Sequence, residues 1–218
     1  MHKLLIVDDH PLFRDALNLS LNNAAQLLQL SPENPIYYSA SLEDAFRQLA
    51  LTPNVDLIML DLHLPGHDGF WGLVELRKLY PAISVIVISG NDESETIAKA
   101  KACGASGFIS KSAMSSYIVD GVHAVLKGDE YWPEGSGDVD SEVASIAKKI
   151  HQLTEQQLVV LKHLQEGRLN KQIAYDLEIS EATVKAHVTA IFRKLGVVNR
   201  TQAVILANKL QIDAPLAI

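Results

Sequence analysis

Carboxylates stand at the ends of two short, mostly apolar runs in this chain of 218 residues. Asp61 closes the run 55–60, and the pair Asp8-Asp9 closes the run 3–7. Such runs predict buried parallel strands, and open α/β sheets place their ligands at the carboxyl edge of these strands. Carboxylates crowded at that edge repel one another unless a hard cation lies among them, and Mg²⁺ with oxygen ligands is the usual one. The pattern therefore predicts an acidic, cation-binding pocket.

Two further polar residues follow predicted strands: Ser89 comes after 83–88, and Lys111 comes after 106–110. An attacking carboxylate, a cation, a hydroxyl and a lysine together suit phosphoryl transfer to an aspartate. Alone, an aspartate after a strand more often caps a helix, but the joint pattern over four strands favours phosphoryl chemistry. His10 follows the acidic pair and could act as a ligand, although capping or positioning the first helix fits it better.

The elements that must position these residues alternate along 1–127. Five βα units in succession predict an α/β fold, with a parallel sheet covered by helices on both faces. The predicted strands are 3–7, 35–40, 55–60, 83–88 and 106–110, and apolar residues recur at helical spacing over 11–28, 42–51, 69–80, 92–103 and 113–127.

Composition excludes several classes of protein. The chain is 48% hydrophobic and 21% charged, as in globular proteins, and no apolar run approaches the ~20 residues of a membrane span. Its single cysteine fits a cytoplasmic location.

Charge is distributed unevenly along the chain. Residues 148–218 hold ten Lys and Arg against six Asp and Glu (net +4), whereas the remainder holds nine against twenty (net −11). An acidic first part and a basic last part indicate a regulatory module joined to one that binds a polyanion.

The second part of the chain has no strand pattern. Glycine and proline in 128–138 predict a linker, assigned to 128–150, and four helices are predicted at 154–166, 170–177, 181–195 and 200–210. The third of these begins after Ser180, a suitable N-cap. It carries an apolar stripe at Val184, Val188, Ile191 and Leu195, whereas its opposite face carries small and cationic residues. Such a face lets a helix enter the major groove of DNA.

The motifs of the first part are Ile6-Val7-Asp8-Asp9-His10-Pro11, Leu60-Asp61-Leu62-His63-Leu64-Pro65-Gly66, Ile88-Ser89-Gly90 and Phe108-Ile109-Ser110-Lys111. With them, residues 1–127 resemble a response-regulator receiver domain, a doubly wound, flavodoxin-like fold. The resemblance implies that Asp61 is the phosphoacceptor and that Mg²⁺ is held by Asp8, Asp9, Asp61 and the backbone carbonyl of His63. It also implies that Ser89 and Lys111 bind the phosphoryl group and that Phe108 is the switch aromatic. Ser112 departs from the family, which often has a proline there.

Residues 151–213 resemble the LuxR-type helix-turn-helix domain of NarL-like regulators. The similarity rests on Asn170-Lys171-Gln172-Ile173-Ala174, Thr183-Val184-Lys185-Ala186-His187 and Lys194-Leu195-Gly196-Val197, among other segments. It implies base-reading positions at Lys185, Ala186 and Thr189 and phosphate contacts at Lys171, Thr183, Arg193 and Lys194. It further implies dimerisation through the last helix, at Ala203, Val204 and Ala207. Departures are Gln156-Gln157, where the family usually has Arg-Glu, and Leu169, where it usually has serine.

Together the two resemblances predict a DNA-binding response regulator rather than a conventional enzyme. Its expected partners are a sensor histidine kinase, promoter DNA and a second copy of the chain, with no membrane. A phosphorylation-independent DNA-binding regulator with a structural receiver is the alternative. An aspartyl phosphatase is a second alternative, but that class has a carboxylate two residues after its nucleophile, where this chain has His63.

Overall fold

A computed structural model describes residues 1–64, 67–68, 70–136 and 141–210, with the backbone alone at 67–68. The chain divides into two compact units, Met1–Val139 and Asp140–Ile218. Positions 137–140 of the predicted linker and 211–213 of the predicted DNA-binding domain lie outside the described residues. Across the described ranges, no helix has both the length and the apolar character needed to cross a bilayer.

Seven strands are found in the described part of the first unit. They are β1 (Leu4–Val7), β2 (Ile36–Ser39), β3 (Leu57–Asp61), β4 (His63–Leu64), β5 (His67–Asp68), β6 (Ser84–Ser89) and β7 (Gly107–Ser110). Five of them form a parallel sheet in the order β2-β1-β3-β6-β7, which confirms the predicted α/β fold with a doubly wound parallel sheet. The strands β4 and β5 form a separate antiparallel pair directly after Asp61. Sequence patterning missed this pair because two residues are too few to show an alternation.

Helices cover both faces of the sheet. They are α1 (Pro11–Asn23), α2 (Leu42–Leu51), α3 (Phe70–Leu79), α4 (Ser94–Ala102) and α5 (Ser115–Leu126). Alternate strand residues point to opposite faces: Leu4, Ile6, Met59 and Ile88 join a core with residues of α1 and α5. The intervening strand residues, such as Leu5 and Leu60, are also buried. Burial on both faces explains why β1, β3 and β6 are largely apolar.

The segment after α5 returns to the edge of the sheet. The N–H of Phe108 donates to the carbonyl of Tyr131 at 2.9 Å, and the N–H of Tyr131 donates to the carbonyl of Ser106 at 3.1 Å. Glycine is needed at two positions beneath this segment. A Cβ on Gly107 would lie 2.8 Å from the Tyr131 carbonyl oxygen, and one on Gly121 would lie 2.8 Å from its ring. The first part of the predicted linker thus packs on the edge strand β7.

Five helices make up the described part of the second unit: α6 (Ser141–His151), α7 (Glu155–Gln165), α8 (Asn170–Asp176), α9 (Glu181–Leu195) and α10 (Arg200–Asn208). The last four occur at the predicted places and confirm the predicted all-α helix-turn-helix fold. The helix α6 differs from the sequence interpretation, because it occupies part of the range assigned to a linker. Its residues Ile146, Ala147 and Ile150 are buried, and it packs against α9 and α10. It therefore belongs to the core of this unit.

The helices α7, α9 and α10 begin with side-chain caps, whereas α8 does not. Thr154 and Gln157 form a reciprocal capping box at α7, and the Ser180 hydroxyl accepts from the Thr183 N–H, as predicted for α9. At α8 the N-cap is Leu169, which has no acceptor, although its own N–H donates to the Gln172 side chain at 2.8 Å. The helix therefore has half of a capping box.

Replacing Leu169 with serine should stabilise the second unit by about 0.5–2 kcal/mol, because a serine hydroxyl can accept from an N–H of the first turn. Little apolar burial is lost, since Leu169 is 66% exposed. Hydrogen exchange of the α8 amides and urea unfolding followed by far-ultraviolet circular dichroism would measure the gain. Leu169→Ala is the control and should bring no gain. Equal stability of the serine and alanine variants would contradict the capping argument.

Candidate functional site

The acidic pocket lies at the carboxyl edge of four neighbouring strands. Asp8 follows β1, Asp61 ends β3, Ser89 ends β6 and Lys111 follows β7. Because β1, β3, β6 and β7 are adjacent in that order, residues up to 103 positions apart in sequence meet at one edge. The three-dimensional arrangement thus gathers residues that the sequence indicated only by their place after strands.

Lys111 joins two buried carboxylates. Its Nζ lies 2.7 Å from Asp61 Oδ2 and 2.7 Å from Asp8 Oδ2, and these two aspartates are 2% and 1% exposed. Burial by itself lowers the pKa of Lys111, but the hydrogen bonds and negative charges of Asp61 and Asp8 together raise that pKa above its usual value. The ring of Phe13 adds a cation–π contact at 5.0 Å. Lys111 is therefore a firmly held cation in contact with both carboxylates.

Asp61 is oriented through both of its oxygens. Oδ2 accepts from Lys111, and Oδ1 accepts from the backbone N–H of His63 at 3.0 Å. A carboxylate held in this way keeps one rotamer and presents its remaining lone pairs to the pocket, which is what a nucleophile requires. The His63 side chain is exposed at the same edge, two residues after Asp61.

Neither Ser89 nor Phe108 makes a described hydrogen bond to Asp61. Ser89 is fully buried, and its hydroxyl accepts from the Asn91 N–H at 3.1 Å. Its carbonyl accepts from the Lys111 N–H at 2.8 Å, which ties the ends of β6 and β7 together. Phe108 is fully buried within β7. Ser89 thus ends β6, and Phe108 lies in β7, the strand that Lys111 follows.

The pocket has the donor set of a divalent-cation site. Ligand atoms of Asp8, Asp9, His10 and Asp61 all lie within 4.8 Å of one another. Asp9 Oδ1 is shielded from solvent and makes no hydrogen bond, although His10 Nδ1 lies 2.9 Å away. Clustered carboxylate oxygens fit Mg²⁺, which is the cation that the sequence predicts here.

His10 differs from the sequence interpretation. It is the N-cap residue of α1, but its side chain makes no capping hydrogen bond. The imidazole turns instead toward the acidic pocket, where Nδ1 lies 3.1 Å from Asp8 Oδ1. Two features of the sequence indicate this position for the imidazole. His10 directly follows Asp8-Asp9, and its side chain has no hydroxyl or carboxylate of the kind that caps a helix well.

The helix α9 presents the predicted DNA-contacting residues to solvent. Val184, Ile191 and Leu195 are fully buried, and Val188 is half-buried, so the predicted apolar stripe faces the core. On the opposite side a shallow depression is lined by Lys185, Ala186, Thr189, Ala190 and Arg193. Thr183 is exposed in the first turn of α9, and Lys171 is exposed in α8. Small residues flanked by two cations form a surface that base edges and phosphates could approach closely.

The family resemblance predicts that Lys194 contacts DNA phosphates, but its ammonium is bound within the second unit. Its Nζ donates to the Gln152 carbonyl at 2.9 Å and to Gln157 Oε1 at 2.7 Å. The same Gln157 oxygen accepts from the Thr154 N–H at 3.0 Å. Lys194 therefore secures the end of α9 to the start of α7. This link was invisible in the sequence because its partners lie about 40 positions away.

Two residues of the predicted dimerisation face of α10 are buried within the second unit. Ala203 and Ala207 have no exposed surface, because α10 turns them toward α7, α9 and α6. Val204 is half-buried, and Ile205 is 56% exposed. Small residues allow close packing of helices within a chain as well as between chains, so the spacing could not distinguish the two. The surface that α10 leaves free is centred on Ile205.

Comparison with known proteins identifies relatives of both units. Residues 4–123 match the family described as "Response regulator receiver domain", and residues 151–207 match "Bacterial regulatory proteins, luxR family". The chain is 39% identical to the "Glycerol metabolism activator" of Pseudomonas putida over 99% of each chain. It is 32% identical to the nitrate/nitrite response regulator protein NarP of Escherichia coli, over 94% of this chain and 93% of NarP. A structure of the Salmonella typhimurium response regulator RcsB has the same fold, with a TM-score of 0.53 and 20% identity over 95% of this chain and 100% of the RcsB chain.

Proposed function

This chain belongs to the NarL/FixJ family of response regulators, and on that premise we propose that phosphorylation of Asp61 by a sensor histidine kinase controls its binding to promoter DNA. The family makes it a DNA-binding regulator of the two-component type, with a receiver domain and a LuxR-type helix-turn-helix domain. We propose that the receiver comprises 1–127 and that the DNA-binding domain comprises 151–213 with α6 packed against it. Within the described part of the proposed linker 128–150, Tyr131 pairs with β7 and 141–150 lie in α6.

The observation that carries this proposal is the setting of Asp61. The Asp61 side chain is buried, and its oxygens accept hydrogen bonds from Lys111 and the His63 N–H. Carboxylate oxygens of Asp8 and Asp9 lie within 4.8 Å of a carboxylate oxygen of Asp61. In the proposed reaction an Asp61 oxygen attacks the phosphorus of a phosphohistidine, the P–N bond breaks, and the imidazole leaves with the bonding electrons. Lys111 compensates the negative charge that accumulates on the transferred phosphoryl oxygens.

Mg²⁺ is the proposed cofactor. Asp8, Asp9, Asp61 and the backbone carbonyl of His63 would hold it, and when bound it neutralises phosphoryl oxygens. Three carboxyl groups face the single ammonium of Lys111, which supports a second cation at this site.

Phosphorylation changes the charge next to Lys111 and Ser89. We propose that the hydroxyl of Ser89, which is bonded to the Asn91 N–H before phosphorylation, turns to donate to a phosphoryl oxygen. Lys111 moves toward the same phosphoryl group. Phe108, which lies in β7 three residues before Lys111, changes its packing together with Lys111. The segment at Tyr131 hydrogen-bonds to Phe108, so a movement of β7 reaches the linker directly. Such a shift needs only a few kcal/mol of difference between two states.

DNA recognition is assigned to α9. Lys185, Ala186 and Thr189 are proposed to read bases, whereas Lys171, Thr183 and Arg193 contact phosphates. Lys194 is not among the proposed phosphate contacts, because its ammonium donates hydrogen bonds to Gln152 and Gln157. Two copies bind DNA as a homodimer in this proposal, through the exposed side of α10 around Ile205. The likeness to an activator in Pseudomonas putida supports activation of transcription, and a cytoplasmic location follows from the proposed partners.

The test is a DNA-binding titration before and after treatment with acetyl phosphate and Mg²⁺. The wild-type affinity for DNA fragments selected from the genome should rise by roughly 5- to 150-fold, the usual range of coupling between two sites. The variant Asp61→Asn should show no rise. Asp129→Asn removes an exposed carboxylate elsewhere on the same unit and should respond like the wild type.

Each outcome of this titration has a defined meaning. Equal affinity of the wild type with and without phosphorylation would establish the phosphorylation-independent alternative. A rise that persists in Asp61→Asn would move the phosphoacceptor to another residue. Release of phosphate from an added phosphomonoester at a catalytic rate would favour the phosphatase alternative instead.

A further inference from the structure

The imidazole of His10 lies where a metal ligand of the acidic pocket would lie. Its backbone N–H donates to Asp8 Oδ1 at 2.7 Å, and Pro11 is the first residue of α1, so the start of the helix is fixed. The side chain takes no part in capping. It extends over the pocket, where its Nδ1 also lies 3.4 Å from Lys111 Nζ, and 59% of the side chain is exposed.

The distances match those between donors on one cation. His10 Nδ1 lies 2.9 Å from Asp9 Oδ1, 3.1 Å from Asp8 Oδ1 and 3.8 Å from Asp61 Oδ2. Two ligands on adjacent corners of an octahedron with bonds of about 2.1 Å are about 3 Å apart. A nitrogen lone pair and carboxylate lone pairs at such distances repel each other unless a proton or a metal ion lies between them. The pocket therefore offers four side-chain donors rather than three.

An imidazole changes which cations a site prefers. Mg²⁺ is a hard ion that takes oxygen ligands, whereas imidazole suits Zn²⁺, Ni²⁺ and related ions of the first transition row. Three carboxylates with one imidazole form a mixed oxygen–nitrogen set. Such a set retains affinity for Mg²⁺ through its oxygens and gains affinity for transition metals through its nitrogen.

We propose that His10 is a ligand in the acidic pocket and that it makes this receiver a site for divalent transition metals, bound more tightly than Mg²⁺ through the added nitrogen. The inference rests on the proposed cation site of Asp8, Asp9 and Asp61, and it adds a residue and a class of metal to that site. A transition metal at the pocket would compete with Mg²⁺ for the same oxygens. The response of the protein to phosphoryl donors would then depend on which metal is present.

The experiment compares Co²⁺ and Mg²⁺ binding to the full-length wild type and to His10→Ala. Co²⁺ reports its own coordination through visible absorption, and Mg²⁺ is measured by competition against it and by calorimetry. Loss of His10 should weaken Co²⁺ binding at least about tenfold, since even partners outside the ligand shell change metal affinity 10–100-fold. Mg²⁺ affinity should change less than about twofold, and the Co²⁺ absorption band should shift.

Two further variants make the result decisive. His123→Ala removes a histidine of α5 away from the pocket and should leave both affinities as in the wild type. Asp8→Asn should weaken both metals, because it removes an oxygen donor common to them. Unchanged Co²⁺ affinity in His10→Ala, or an equal loss for both metals, would overturn the role of His10 while leaving the Mg²⁺ site intact. Mg²⁺ binding that ignores Asp8→Asn would instead count against the proposed cation site itself.

Discussion

Replacing Lys111 with methionine should destabilise the first unit by about 3 kcal/mol in buffer free of divalent cations, the lower end of the cost of breaking a buried ion pair from one side. Methionine retains most of the volume but leaves Asp8 and Asp61, both almost fully buried, without the cation that contacts them at 2.7 Å. Mg²⁺ should return part of the lost stability, because it supplies positive charge to the same oxygens.

Tryptophan fluorescence measures this effect on the correct unit. The chain has two tryptophans, Trp71 and Trp132, and both lie in the first unit. Urea unfolding with chelator and with Mg²⁺ should therefore give the free energy of unfolding of that unit in both conditions. Lys127→Met removes an exposed lysine after α5 and should change it little. A similar small loss for Lys111→Met would mean that solvent, rather than Lys111, compensates the two carboxylates.

The pKa of Lys111 fixes the pH range of this stabilisation. Because the pKa is raised in the folded state, the stabilisation is fully present below the pKa of an unfolded lysine. It is lost as the pH rises through the higher, folded value. The difference between the wild type and Lys111→Met should therefore stay constant from neutral pH to moderately alkaline pH and shrink only beyond it.

Replacing Lys185 with alanine should weaken binding to selected DNA sites by roughly 1–3 kcal/mol while changing binding to random DNA much less. Lys185 is exposed beside the small residues Ala186 and Thr189, where a long side chain can reach base edges. Arg193 lies two turns further along α9, and its replacement should weaken both kinds of DNA. The slope of the logarithm of the binding constant against the logarithm of the salt concentration should then become shallower by the amount that about one phosphate contact contributes.

Affinities at several salt concentrations separate these two roles. Lys209→Ala is the control, because Lys209 is the C-cap residue of α10 and pairs with Glu142, and it does not line the α9 depression. It should leave both affinities close to the wild type. If Lys185→Ala lowered specific and random binding equally, Lys185 would be a phosphate contact and the base-reading assignment would move to other residues of α9.

The strands and the recognition helix were predictable because their signals are local. Buried parallel strands are continuously apolar, so the ends of β1, β3, β6 and β7 could be located, and with them the polar residues that follow. Ser180 and the stripe at Val184, Ile191 and Leu195 located α9 in the same way. These features need no knowledge of distant contacts.

The structure differs from the sequence predictions where contacts between residues distant in sequence determine how a side chain is placed. The direction of the His10 side chain depends on the pocket beside it, and the pairing of Tyr131 with β7 depends on two glycines, Gly107 and Gly121, that leave space for it. Lys194 and Ala203 were assigned to partners outside the chain because charge and small size suit both uses. Only the packing of α7, α9 and α10 shows that these two residues are used internally.

The most direct measurement of the central proposal is the intact mass of the protein after incubation with acetyl phosphate and Mg²⁺, followed by localisation of the added group. We expect a gain of one phosphoryl group on the peptide that contains Asp61, abolished both by chelation of the metal and by Asp61→Asn. An unchanged mass, or a phosphoryl group carried elsewhere in the chain, would contradict the account.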